Sequence, residues 1–320
     1  MPQAPREYSV LDVNPGAWNT RLLIGTPMTG LVRAEWVQAR YGQAIPTNWG
    51  YQESWMGVAN YGPMRYLVAD AQNLICKYFV ENDFEWLFLL ERDNVIPRDC
   101  FVRLNDYMRK CDVPIVSGLY FTRSVPPEPL IYRGRGSSHY IHWKFGDKVW
   151  CDGVPTGTLL VHGSIIKAVW AESPEYNVNG QVTRKVFANV DNVNLEGPLL
   201  LEGGTSDLHF CDRLIREKFF DKAGWPEYQK MKYPLLVDTN IYGTHIEDDG
   251  RQFPLGGIPA QFLPEPKVKV LHGPQKGLDR PVARTAANAA NPRKRGPQRI
   301  RTRLPKDDDG EHFGVVATRR

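Results

Sequence analysis

The stretch FEWLFLLERDNVIP, residues 84–97, decides the fold of this chain. Its central run WLFLL, residues 86–90, is apolar throughout, which suits a strand buried on both faces of a sheet. Glu91 and Asp93 follow directly. Two acids at the carboxyl end of a buried strand are costly to hold together unless a cation lies between them, and ligands of open α/β sheets collect at such ends. This turn is therefore a candidate site, with solvated turn acids as the competing interpretation.

The segments on either side of this strand alternate between strand and helix patterns. Residues 21–25 predict a first strand, and apolar residues at helical spacing predict a helix over 66–81. Residues 98–110 indicate another helix, and 113–117 another strand. This βαβαβ order predicts a parallel or mixed sheet with helices on its faces.

The second half of the chain continues this alternation after a glycine- and aromatic-rich stretch of hairpins and loops over 118–152. The remaining predicted elements are a strand over 154–161, helices over 164–171 and 205–219, and a closing strand over 235–237. Residues 48–62 are rich in aromatic residues and glycine, which is typical of a mobile loop with stacking surfaces. Packing of that segment as a small satellite cluster is the alternative.

The composition is that of a soluble globular protein, with 42% hydrophobic and 24% charged residues. No apolar run approaches the ~20 residues that span a bilayer, and the amino terminus has no apolar signal core. The five cysteines are scattered and form no CxxC pair, so we expect buried free thiols in a reducing, cytoplasmic compartment. The glycines at 25 and 30 lack the lysine of a phosphate loop, and no GxGxxG follows a predicted strand.

The net charge of +4 hides an asymmetry between body and tail. Residues 274–320 hold 12 Lys and Arg against 5 Asp and Glu, which leaves 28 and 31 of the totals of 40 and 36 in the body. We expect one body over 1–265, then a Pro-rich linker and a basic, largely disordered tail over 266–320. The tail is either a solvated terminus or a contact for polyanions.

Seven short motifs between Arg21 and Ile246 resemble, in order, the GT-A-fold glycosyltransferases, specifically the soluble family-2-like enzymes. The motifs are IGTPMTG (24–30), VADAQNLI (68–75), FLLERDNVIP (88–97), PIVSGLYFTR (114–123), GVPTGTLLV (153–161), GGTSDLHFCDRLIREKF (203–219) and DTNIYGTHI (238–246). The resemblance implies a Rossmann-like, mixed, mostly parallel α/β sheet with helices on both faces. It also implies a metal-dependent transfer of a sugar from a UDP- or GDP-sugar to an acceptor hydroxyl, with inversion.

The same resemblance implies roles for individual residues. Residues expected to contact the nucleotide-sugar donor are Thr26, Pro27, Gln72, Asn73, Glu91, Arg92 and Gly157. Asp93, with Glu91 and His245, would bind Mn²⁺ or Mg²⁺, and the cation would stabilise the departing diphosphate. Asp207 would be the base that deprotonates the acceptor. From the residues alone, His245 also fits a structural histidine, and Asp207 fits an acid favoured by the dipole of its helix.

The chain departs from the family pattern at three positions. Gln72 stands where arginine is usual, Glu91 replaces the first aspartate of the DxD segment, and Ser206 replaces a glutamate. Within the same fold, a retaining transferase, in which Asp207 is not an essential base, is an open alternative. So is a nucleic-acid-binding protein that uses its basic tail, or an enzyme that glycosylates a modified base; the acceptor is then a glycan or a modified nucleic acid.

Overall fold

The computed structural model describes residues 22–46, 49, 59–134, 139–194 and 200–264. The chain divides into two units, Met1–Pro266 and Lys267–Arg320, and all described residues belong to the first. The predictions made for the basic tail, and for most of the aromatic segment 48–62, fall outside the described residues.

The described residues form strands and helices that alternate in the first part of the chain and occur in runs of strands and of helices later. The strands are β1 (Leu22–Gly25), β2 (Ala59–Tyr61), β3 (Trp86–Leu90), β4 (Asn94–Val95), β5 (Ile115–Leu119), β6 (Lys148–Cys151), β7 (Thr158–His162), β8 (Glu175–Val178), β9 (Gln181–Arg184), β10 (Val190–Asn194), β11 (Leu200–Gly204), β12 (Leu235–Tyr242), β13 (Thr244–Ile246) and β14 (Gln252–Phe253). The helices are α1 (Ala34–Tyr41), α2 (Val68–Glu81), α3 (Cys100–Lys110), α4 (Gly163–Glu172), α5 (Ser206–Arg216), α6 (Phe219–Lys222) and α7 (Pro226–Lys230).

A seven-stranded sheet in the order β2-β1-β3-β7-β5-β12-β6 forms the centre of the fold. The strands β1, β2 and β3 are parallel to one another, and β5 is parallel to β12. Strand β7 is antiparallel to both of its neighbours, and β6 is antiparallel to β12. The sheet is thus mixed and mostly parallel, which confirms the predicted fold class.

Both faces of this sheet are covered by helices. Successive side chains of a strand point to opposite faces, so each strand contributes to two separate cores. On one face, Leu23, Leu87 and Leu89 belong to a core that also contains residues of α2, α4 and α5. On the other face, Leu22, Ile24 and their neighbours pack with residues of α1 and α3. All five residues of β3 are buried, as expected for a strand covered on both sides.

Several element boundaries differ from the sequence prediction for local reasons. The predicted helix over 205–219 ends at Arg216, because Lys218 adopts a left-handed backbone with φ 56° and a new turn begins at Phe219. Strand β7 begins only at Thr158, after the segment that contains Pro155 and Gly157. The closing strand β12 is longer than predicted and runs to Tyr242 with an irregular register.

Trp49, from the aromatic segment, is a core residue. Its ring packs against Phe101 at 5.6 Å between centroids, and its indole N–H donates to Asn105 Oδ1 at 2.9 Å. It therefore belongs to the core on that face of the sheet, and forms neither an exposed stacking surface nor a separate satellite cluster.

Four cysteines, Cys76, Cys100, Cys151 and Cys211, are buried free thiols, as predicted. Within the described ranges, each helix is too short or too polar to cross a lipid bilayer.

Candidate active site

One edge of the central sheet brings together residues from five separate chain segments. Gly25 pairs with Leu89, and Leu90 pairs with Thr158, so the ends of β1 and β3 and the start of β7 lie at the same level. The ends of β5 and β12 meet at the same edge, because Leu119 pairs with Tyr242. In sheets of this kind ligands bind at the carboxyl ends of the parallel strands, so this edge is the candidate site.

Glu91 lies at the centre of this edge. Its backbone N–H donates to Gly157 O at 3.1 Å, and its carbonyl accepts from the indole N–H of Trp36 at 2.9 Å. A Cβ on Gly157 would lie 2.9 Å from Glu91 Oε2, so only glycine leaves room for this carboxyl group. Burial, with the negative charges of Asp93 and Asp207, raises the pKa of Glu91 to about 8. Glu91 is thus mainly protonated at neutral pH and can donate a hydrogen bond.

Tyr120, which follows β5, closes one side of the Glu91 carboxyl. Its buried hydroxyl accepts a hydrogen bond from the N–H of Gly157 at 2.8 Å. Its ring packs edge to face with the imidazole of His245, with 4.8 Å between the ring centroids. Burial raises the pKa of Tyr120 well above its usual value, and the nearby charges of Glu91 and Asp207 act in the same direction. The hydroxyl therefore stays protonated and neutral.

Asp93 is held at the mouth of the site by an arginine. The Nη2 of Arg123 forms an ion pair with Asp93 Oδ2, and its Nε lies 3.5 Å from Glu247 Oε1. The carbonyl of Asp93 accepts from the N–H of Ile246 at 2.7 Å, which joins this turn to β13. The cation that the acidic turn requires is thus supplied by the loop after β5.

His245 is buried beside this ion pair with a defined tautomer. Its Nδ1 lies 2.7 Å from the carbonyl oxygen of Phe121, so Nδ1–H is the donor and Nε2 carries the lone pair. Burial lowers the pKa of His245; Asp93 opposes this shift, and Arg123 adds to it. The imidazole is therefore neutral at physiological pH.

Asp207 lies in the first turn of α5, close enough to Glu91 and Tyr120 for its charge to act on both. Its Oδ1 accepts from the N–H of Leu208 at 2.9 Å, and its charge raises the pKa of both Glu91 and Tyr120. Burial raises the pKa of Asp207, although its hydrogen bonds to Thr205 and to the backbone oppose the shift. A carboxylate with a raised pKa next to a recess has the properties of a general base.

The three departures from the family pattern belong to one chain of hydrogen bonds. Ser206 Oγ donates to Gln72 Oε1 at 2.9 Å, and Gln72 Nε2 donates to Thr156 Oγ1 at 2.9 Å. Thr156 Oγ1 then donates to Glu91 Oε1 over a longer 3.4 Å. Gln72 and Ser206 are both buried. We define this set as the Gln72 network; it connects α2 and α5 to the Glu91 carboxyl through neutral side chains.

Asn73 lies next to Gln72 but is directed elsewhere. Its Nδ2 donates to Tyr176 Oη at 2.8 Å and to Phe187 O at 2.9 Å, and its Oδ1 accepts from Phe187 N at 2.8 Å. These bonds fasten the region around β8 and β9 to α2. The donor-binding role predicted for Asn73 stays a prediction, while the contacts themselves are structural.

Replacing Asn73 by alanine is expected to lower the free energy of unfolding by about 2–4 kcal/mol, because the buried N–H and carbonyl of Phe187 lose their partners. Asn82→Ala is the matched control, since Asn82 Nδ2 donates to Tyr78 O at an exposed position at the end of the same helix. Urea unfolding of both variants measures the difference. Equal stability of the two variants would contradict the structural role of Asn73.

The other predicted donor-contacting residues have separate positions. Thr26 is buried directly after β1, where its N–H donates to Tyr61 O at 3.0 Å, and Pro27 follows it at the edge. Arg92 points toward the exposed Asp248, with 3.2 Å between Nη1 and Oδ1. The site thus brings together Glu91, Asp93, Gly157, Asp207, His245 and Gln72, with Arg92 directed to the surface.

Sequence reasoning did not assign roles to Tyr120, Arg123 and Thr156. Each lies in a motif that was recognised, and each follows or precedes a strand at the functional edge. The signal that could have identified Arg123 is the acidic turn itself, since two acids there require a cation and Arg123 follows a parallel strand end.

The donor set at Asp93 does not fit a divalent ion in this arrangement. Among the described residues, no group of three His, Cys, Asp or Glu side chains converges as metal ligands. Asp93 and His245 are near each other, but Arg123 already occupies an oxygen of Asp93. The predicted Mn²⁺ or Mg²⁺ site therefore stays a prediction.

Comparison with known proteins gives similarity to solved structures only. No family model matches the chain, and no curated protein matches it in sequence. The chain is similar to A197 from STIV, at 14% identity and a TM-score of 0.42 over 72% of this chain and 92% of that one. It is also similar to S. aureus TarS 1–349 in complex with UDP, at 8% identity and a TM-score of 0.31, with 48% of this chain and 50% of that one covered.

A third similar structure is a glycosyltransferase involved in glycosylation of the major capsid of PBCV-1, at 13% identity and a TM-score of 0.22. That match covers 47% of this chain and 65% of the other. Solved structures similar to this chain thus include glycosyltransferases. At these sequence identities and TM-scores, the similarities carry no argument about the site.

Proposed function

We propose that this protein transfers a sugar from a nucleotide-sugar donor to an acceptor hydroxyl. The observation that carries the proposal is the convergence of Asp207, Glu91 and the Asp93–Arg123 pair at the carboxyl edge of one sheet. These groups supply a base, a neutral hydrogen-bond donor and a cation, which together match the needs of glycosyl transfer.

Each group has a defined task in the proposed reaction. Asp207 takes the proton of the acceptor hydroxyl as its oxygen attacks the anomeric carbon, with inversion. Glu91, held protonated by its surroundings, donates a hydrogen bond to a hydroxyl of the donor. The bond between the anomeric carbon and the diphosphate oxygen breaks, and the leaving diphosphate takes the electron pair.

Close packing defines this part of the site. The Tyr120 hydroxyl and the Glu91 carboxyl occupy the space that a Cβ on residue 157 would need, so glycine lets both groups lie together at the strand ends. Asp207 lies in the first turn of α5. The residues predicted to contact the donor at Thr26 and Pro27 follow β1 at the same level.

The test is a screen of UDP- and GDP-sugars for release of the nucleoside diphosphate, with water or added glycans as acceptor. We expect release from at least one donor, at a rate above that of protein-free buffer. No release from any donor, with EDTA or with Mn²⁺, would contradict the proposed function. Nucleic-acid binding through the basic tail is the alternative, and filter binding at low and high salt tests it separately.

A further inference from the structure

The acidic side chains at the candidate site would repel the negatively charged diphosphate of the proposed donor. Asp93, Asp207 and Glu247 lie at or beside this edge, and a nucleotide-sugar adds the negative charge of a diphosphate. Negative charge increases further on the leaving oxygen as the bond to the sugar breaks. A positive charge held at this place would stabilise the leaving diphosphate and lower the barrier.

Arg123 is the described side chain that meets this requirement. It forms an ion pair with Asp93, lies 3.5 Å from Glu247, and opposes the charges around Glu91. The contacts to Asp93 and Glu247 use two of its three guanidinium nitrogens. A guanidinium has five N–H donors in a planar fork that matches phosphate oxygens, and it stays charged at any physiological pH.

The loop that carries Arg123 is fixed by its own hydrogen bonds. Thr122 N donates to Glu128 O at 2.9 Å, and Glu128 N donates back to Thr122 Oγ1 at 3.0 Å. Ser124 Oγ donates to Pro126 O at 2.8 Å, which closes the turn. The guanidinium is thus presented from a constrained loop, and its side chain is 42% exposed, so a ligand at the edge can reach it.

Stability alone gives a weak reason for this arrangement. Ion pairs with exposed partners contribute little to the free energy of folding. A charge that is held in advance beside a developing negative charge contributes much more to a reaction, because it needs no reorganisation at the moment of bond cleavage.

We propose that Arg123 supplies the positive charge that binds and stabilises the leaving diphosphate, in the place where a divalent ion would otherwise act. This inference rests on the proposed function. Asp93 and Glu247 orient the guanidinium, and the diphosphate oxygens bind to its remaining N–H donors. The electron pair of the broken bond goes to the diphosphate, and the proton of the acceptor goes to Asp207, so charge and atoms balance.

The test measures binding of UDP and GDP by calorimetry in EDTA, for the full chain and three variants. Arg123→Gln removes the positive charge. Arg123→Lys keeps the charge but lacks the planar arrangement of N–H donors of a guanidinium. Arg103→Gln is the matched control. Arg103 forms a comparable exposed pair with Asp99 on α3, at 2.7 Å. Thermal unfolding of each variant shows that it is folded before binding is measured.

We expect the parent to bind at least one nucleotide in EDTA, and Arg123→Gln to weaken that binding by about 10- to 100-fold. Arg123→Lys should retain part of the affinity, and Arg103→Gln should bind as the parent does. Release of nucleoside diphosphate from the donor in EDTA should fall in the same order.

Two results would overturn the inference while the proposed function stands. One is a parent protein that binds nucleotide only with Mn²⁺; the other is equal binding by Arg123→Gln and the parent in EDTA. A parent that binds neither nucleotide under either condition, and releases no diphosphate from any donor, would overturn the proposed function and the inference with it.

Discussion

Replacing Asp207 by asparagine is expected to lower the turnover of sugar transfer by about 10²- to 10⁴-fold while nucleotide affinity stays nearly constant. The amide keeps the size of the side chain and can still accept the hydrogen bond from Leu208 N. It cannot take the proton of an acceptor hydroxyl, so only the step that needs a base is lost.

The pH profile gives this prediction a second readout. The base must be ionised to act, and burial raises the pKa of Asp207. Turnover of the parent should therefore fall as the pH drops through a value above the usual range for aspartate. The residual activity of Asp207→Asn should lack this acidic limb.

Asp212→Asn is the matched control, because Asp212 lies on the same helix and pairs with Arg216 on its outer side at 3.0 Å. It should leave turnover and nucleotide affinity as they are. If Asp207→Asn turns over as fast as Asp212→Asn, the base assignment is wrong, and a retaining mechanism that needs no base is favoured.

Replacing Gln72 by arginine should destabilise the fold by about 3–5 kcal/mol, because the guanidinium must be buried and the hydrogen bonds of the Gln72 amide are lost. Gln72 is 1% exposed, and its amide is used by Ser206 and Thr156. Ser206→Glu alone should also destabilise, since it adds a carboxylate close to Asp207 and Glu91.

The double variant Gln72→Arg/Ser206→Glu should recover a large part of this loss. Ser206 Oγ and Gln72 Oε1 lie 2.9 Å apart, so the two new charges would meet as an ion pair. Urea unfolding of the parent, both single variants and the double variant gives the coupling free energy, which we expect to exceed about 1 kcal/mol in the stabilising direction.

The control for this cycle is Gln43→Arg combined with Ser206→Glu. Gln43 is also a buried glutamine, and its Nε2 donates to Ala39 O at 2.7 Å and Pro97 O at 2.9 Å, apart from Ser206. That pair should show additive effects. Additive effects for Gln72 and Ser206 as well would mean that the two positions do not act together.

Local pattern was enough to predict most of the elements. The apolar run at residues 86–90 is the buried strand β3, and the helical stripe predicted over 66–81 is α2 at 68–81. Both predictions rest on interactions within a few residues, where periodicity directly reflects burial. The helix with Asp207 in its first turn was found for the same reason.

The pairing of distant segments could not be predicted from the sequence. The antiparallel direction of β7 between β3 and β5 depends on how the chain returns to the sheet, which its residues do not encode locally. The pair between Asp93 and Arg123 and the Gln72 network depend in the same way on long-range pairing. Motif order identified which segments meet, but the partners of each side chain required the structure.

The backbone hydrogen bond from Ile246 N to Asp93 O has a consequence for folding during synthesis. It belongs to a small sheet, β14-β13-β4, in which Thr244 pairs with Val95. The turn that carries Asp93 is synthesised before its partner strand, which leaves the ribosome some 150 residues later, or on the order of ten seconds at about 5–20 residues per second. Until then the acidic turn has no main-chain anchor from β13, so a nascent chain that ends before residue 246 should not bind nucleotide.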